Sequence, residues 1–163
     1  MSAVRVYVPC TISLLRDIVA ADGLGPPPIA AHGVTEALRG AYADGAEEEW
    51  EYAASAAAAQ ASLGLLLGDD QPRRVVVAVD VASARPVDGE DPTLVQVDEP
   101  VPMRRVAAVL VDDEDAADDV RAATSQLAAA QGGDPQAEAV VERCLDHELG
   151  WYATQEIGEL LDD

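Results

Sequence analysis

Lysine, asparagine and phenylalanine are missing altogether from this chain of 163 residues. All three are written with A/T-rich codons, so their joint absence points to a GC-rich genome rather than to function. Without lysine, the ten basic residues are all arginine, set against 31 acidic ones, and the formal charge is -21. A surface so poor in cations lacks the clustered Lys and Arg that phosphate backbones require, which argues against direct nucleic-acid binding. The same shortage argues against docking on an anionic membrane. The charge does permit a basic protein partner, steered in by long-range attraction. Solubility, or adaptation to salt, is the simpler account and needs no partner.

Aromatic residues are scarce too: two Trp and four Tyr. With 49% of residues hydrophobic, the core must be built from small and aliphatic side chains, and it is large enough to exclude a disordered chain. The two cysteines, Cys10 and Cys144, lie far apart and read as free thiols rather than as a disulfide framework. Long apolar runs are lacking. The most Ala- and Leu-rich stretch, Ala53 to Gly68, is interrupted by Ser55, Gln60, Ser62 and Gly64, so no membrane span is expected. Met1 to Pro9 has no apolar signal region. The expected location is cytoplasmic.

Val4, Val6 and Val8 alternate with Arg5 and Tyr7, the period of a strand, which Pro9 should end. Thr11 then caps a helix bearing Ile12, Leu15, Ile18 and Val19 on one face, stopped by Gly23 and Gly25 ahead of the stiff Pro26-Pro27-Pro28 linker. Ile29 to Val34 fits either a short strand or a connector, and Thr35 caps a short helix to Tyr42. Glu47 to Leu67 reads as the longest helix, with three glutamates at its positive end, alanines in its middle and Gly68, Asp69 and Asp70 closing it. Strands are expected at Arg73 to Val81, Leu94 to Val97 and Arg105 to Val111. Residues 83–92, rich in Pro, Gly and acid, form a loop and the most mobile part. A helix follows Asp112 to Asp115, and a last one runs from Gln136 to about Leu161, bent at Gly150. The whole reads as one globular domain over 1–163, α/β or α+β, with a mixed sheet of about four or five strands covered by helices.

Known catalytic signatures are absent. There is no Walker loop, GxGxxG, GxSxG or HExxH spacing. Asp112 to Asp115 at a strand end would suit Mg²⁺, but helix capping explains the same residues. Cys10, at a helix start, is placed for a lowered thiol pKa but has no recognisable partner. His32 carries no motif. The densest cluster of functional side chains is Asp146 to Glu156. On a continuous helix His147, Trp151 and Gln155 share one face, with Glu148, Tyr152 and Glu156 in the adjacent row. His147, Glu148, Trp151, Tyr152 and Gln155 are therefore the candidate binding residues. No catalytic residue, metal or cofactor is assigned.

Val4 to Pro9 followed by Thr11 and Leu14-Leu15-Arg16, the strand Arg73 to Val77, Val111-Asp112-Asp113, and His147-Glu148-Leu149 with Trp151 to Glu156 together resemble a family of small acidic actinobacterial proteins, a domain of unknown function. The resemblance covers nearly the whole chain and is most specific in its last stretch. It implies a bacterial, cytoplasmic, single-domain protein and brings no activity. Cys10 stands where the resemblance expects Ala, which weakens a catalytic-thiol reading.

The leading functional expectation is a non-enzymatic, soluble acidic protein that works through a basic protein partner. A rival is a small enzyme or ligand-binding protein whose pocket is lined by His147, Glu148, Trp151, Tyr152 and Tyr7, with Arg5 or Arg74 orienting an anion. A third is a nucleic-acid mimic with carboxylates along one elongated face.

Overall fold

The computed structural model describes residues 3–66 and 70–162. In chain order it contains β1 (Val4–Cys10), α1 (Ile12–Ala21), β2 (Gly23–Leu24), β3 (Ile29–Gly33), α2 (Glu36–Ala41), α3 (Glu47–Leu63), β4 (Val75–Val81), β5 (Arg85–Pro86), β6 (Leu94–Val97), β7 (Val101–Pro102), β8 (Val106–Val111), α4 (Ala117–Gln131), α5 (Pro135–Leu145), β9 (Gly150–Tyr152) and α6 (Ile157–Leu161). Helix α3 ends at Leu63, with Gly64 as its C-cap, short of the expected Leu67, which with Gly68 and Asp69 lies outside the described residues.

One sheet organises the chain. Its seven strands run in the order β5-β6-β3-β1-β4-β8-β9, and β2 pairs separately with β7. Every described pairing is antiparallel. This corrects the expected mixed sheet of four or five strands. The extra strands are the short ones: β5 has two residues and sits inside the expected loop, and β9 has three and sits inside the expected last helix. Segments so short carry too few alternations to register as a period.

Both faces of the sheet are covered, so its central strands are apolar on both sides. Val6 and Val8 of β1, the odd-numbered valines of β4, and Val109 and Val111 of β8 share one face, packed with Ile12 and Leu15 of α1 and Ile157 and Leu160 of α6. On the other face Tyr7, Val76, Ala78 and Leu110 meet Ala54, Ala58 and Ala59 of α3. A third cluster joins Leu63 to Val120 and Ala123 of α4 and Val141 and Cys144 of α5. Alanine at the α3 contact lets the helix lie close to the sheet. Ala54 and Ala58 are both fully buried. Replacing Ala58 by Leu should cost about 1–3 kcal/mol through overpacking, read as a lowered urea midpoint with unchanged slope. An unchanged midpoint would show slack at this contact.

Side-chain bonds fix where the elements start. The Thr11 and Thr35 hydroxyls accept the amides of Leu14 and Leu38 at 3.1 and 3.0 Å, capping α1 and α2. Asp134 accepts from Gln136 and Ala137, with Pro135 in the first turn of α5. Buried Ser62 of α3 donates to the Cys10 carbonyl at 2.7 Å and accepts the Val75 amide at 3.2 Å, pinning the helix to β1 and β4. Strand β1 runs one residue past Pro9, to Cys10. Strand β3 pairs with β1 only at Val6 and Tyr7, so Pro9 interrupts no ladder on that side.

Candidate functional site

The final segment departs most from expectation. Helix α5 stops at Leu145, and Gly150–Tyr152 pairs instead with β8, setting Tyr152 opposite Val109, Trp151 opposite Leu110 and Gly150 opposite Val111. The shared helical face of His147, Trp151 and Gln155 therefore does not exist. Successive strand residues point to opposite faces. Tyr152 packs against the valine-lined core, whereas Trp151 stays 57% exposed on the α3 side. Gln155 is exposed on a 3-10 turn (Thr154–Glu156). Of the five candidate residues, His147, Glu148 and Trp151 line one groove; Tyr152 lines a different cavity, with Arg73 and Glu156.

A buried ion pair ends the helix. Arg74 and Asp112 are 1% and 0% exposed. The guanidinium donates to both Asp112 oxygens, at 2.9 and 2.8 Å, and the Arg74 amide donates to Oδ2 at 2.8 Å. The remaining reach of the guanidinium takes the His147 carbonyl at 2.9 Å, and Arg73 donates to the Asp112 carbonyl at 3.0 Å. The His147 ring nitrogen Nε2 lies 2.8 Å from Asp119 Oδ2 of α4. The chain is thus drawn out of the helix at His147 and delivered to the edge of β8. Asp112, read from sequence as a cap or ion ligand, serves neither role. Among the described residues no three His, Cys, Asp or Glu side chains are grouped to hold a metal.

The groove has a volume of about 640 Å³ and lies between α3, from Glu47 to Gln60, and the β8–β9 edge. Tyr7, Tyr52 and Trp151 supply aromatic surface; Glu47, Glu48, Glu51 and Glu148 supply charge. Tyr52 is 60% exposed. The Tyr7 hydroxyl donates to Glu51 Oε2 at 2.7 Å, and burial, followed by that bond, raises its pKa. Arg74 reaches the groove wall, but its charge is matched by Asp112. Arg5, the other cation considered for an anion, pairs with Asp80 at 2.9 and 3.1 Å. The α3 contribution, Tyr52 with its neighbouring glutamates, escaped the sequence reading. Its signal lies in Glu47 to Tyr52, where four acidic residues and two aromatics fall within six positions, although the helix dipole by itself accounts for the acids of the first turn.

The thiols are not nucleophiles in waiting. Cys10 is buried, donates to the Thr11 carbonyl at 3.3 Å, and burial pushes its pKa up to about 12. Cys144 is pushed up to about 11 for the same reason. Both are free. Among the described residues no helix is long and apolar enough to cross a membrane.

Neither the curated proteins nor the solved structures include a match to this chain. A family model does match, over residues 4–161, and so spans the sheet, its helical covers and the groove alike. The chain belongs to the family of unknown function DUF6912.

Proposed function

We propose that this is a non-enzymatic binding protein that holds a basic, extended segment of a partner protein in the groove between α3 and the β8–β9 edge. The observation that carries this reading is the meeting of exposed Tyr52 and Trp151 with Glu47, Glu48, Glu51 and Glu148 around a guanidinium already spent on Asp112. Aromatic faces and carboxylates both attract Arg and Lys, and the aromatic surface also favours apolar neighbours in the bound segment. An anionic substrate would meet carboxylates with no unpaired guanidinium to receive it. The reading includes one globular domain in a bacterial cytoplasm, where buried free thiols stay reduced.

Selection from a random peptide library tests it. The enriched peptides should carry Arg or Lys beside aromatic or aliphatic residues. Their affinity should fall several-fold between about 50 and 200 mM salt. Glu48→Gln combined with Glu148→Gln should slow association and weaken that salt dependence. Enrichment of neutral or acidic peptides, or affinity indifferent to salt, defeats the proposal.

A further inference from the structure

A second cavity, of about 550 Å³, lies between α3 and the α4–α5 pair, with His32 of β3 in its wall. It shares part of its lining with the groove but holds none of the groove's aromatics. His32 is 5% exposed. Its Nδ1 lies 2.8 Å from Thr93 Oγ1. That hydroxyl donates its proton to Asp91 Oδ1 at 2.7 Å, an oxygen that also accepts the Thr93 amide at 2.9 Å. With its proton spent, Thr93 Oγ1 meets His32 as an acceptor, so Nδ1 carries the hydrogen and Nε2 is left with a bare lone pair. Among the described residues nothing partners Nε2. Yet among the described residues no fully enclosed side-chain nitrogen or oxygen lacks one. Nε2 must therefore reach open space, and the space the ring borders is this cavity. Burial, opposed by Asp91 at 3.5 Å, lowers the His32 pKa and keeps the ring neutral near pH 7.

We infer that this cavity binds a small aliphatic amine whose ammonium donates to His32 Nε2, within a wall that also carries the carboxylates of Asp91, Glu138 and Glu142. The lone pair requires a donor. The carboxylates favour a positive one, and Gln60 and Gln131 add polar contacts at the wall. The remaining wall, from α3, α4 and α5, is aliphatic and suits a methylene chain.

Titration of the full chain with putrescine and a panel of short alkylamines, followed on the His32 ring by NMR, tests this. Saturable shifts are expected, with affinity about tenfold or more above that for butanediol, the neutral match. Binding should weaken as falling pH protonates Nε2. Asp91 is the charged group that acts on the ring, and Glu138 and Glu142 line the same cavity, so Glu138→Gln with Glu142→Gln is titrated in parallel to separate their contribution. His32→Phe keeps a ring but removes the lone pair and should lose about tenfold in affinity. If that variant does not fold, the paired Gln variant, at two exposed positions, carries the test with an expected several-fold loss. No saturable shift up to about 10 mM of any amine, or butanediol binding equally well, overturns the inference. Peptide binding in the groove, read at Trp151, stands or falls separately.

Discussion

Asp112→Ala should cost about 3–5 kcal/mol of folding stability, the largest loss expected from any single substitution outside the aliphatic core. The carboxylate is fully buried and occupied by the Arg74 guanidinium through two bonds and by the Arg74 amide through a third. Removing it leaves a guanidinium with 1% exposure and no counter-charge. The damage should spread, because that guanidinium also holds the His147 carbonyl. The pair itself is a different matter. Desolvation offsets much of its attraction, so Arg74→Met together with Asp112→Leu should be far milder than Asp112→Ala alone, and near neutral if the volume is filled. Urea unfolding of the three proteins measures both effects. A loss below about 1 kcal/mol in the single variant would falsify the claim that Arg74 is neutralised only by Asp112.

Trp151→Ala should lose at least about thirtyfold in affinity for the selected basic peptides, roughly 2 kcal/mol, while changing stability by less than about 1 kcal/mol. Its indole is 57% exposed and borders the acidic groove. Tyr152→Ala should do the opposite. That ring packs on the valine-lined core, so the variant should be destabilised by about 2 kcal/mol or more and keep its peptide affinity under conditions where it is folded. The contrast follows from strand alternation between adjacent residues. If both substitutions weaken binding alike, or if Trp151→Ala unfolds the protein, the groove assignment is wrong.

Local signals set out much of the framework. Alternating valines marked β1 and β4, and the threonine caps of α1 and α2 were legible because each cap bonds an amide only three residues away. The alanine-rich α3 was legible because a helix of 17 residues repeats its own pattern several times. The strand Ile29–Gly33 was ambiguous because its neighbours, β1 and β6, lie far away in sequence. The groove was half legible. His147, Glu148 and Trp151 were picked out by the density of functional side chains, and they do line one surface. The helical geometry that first grouped them was not there. Tyr152 and Gln155 separated from them once Gly150–Tyr152 became a strand.

The sequence by itself determined the acidity, the aliphatic core and the kinds of element, because composition, period and capping act within a few residues. Tertiary structure alone decided that the last helix breaks at Leu145. The local pattern from Gln136 to Leu161 favours a continuous helix, but Arg74, 73 residues before His147, claims that residue's carbonyl, and the open edge of β8 offers Trp151 and Tyr152 backbone partners. Pairings over such separations leave no trace in local periodicity. They nevertheless determine which ring faces the core and which stays exposed.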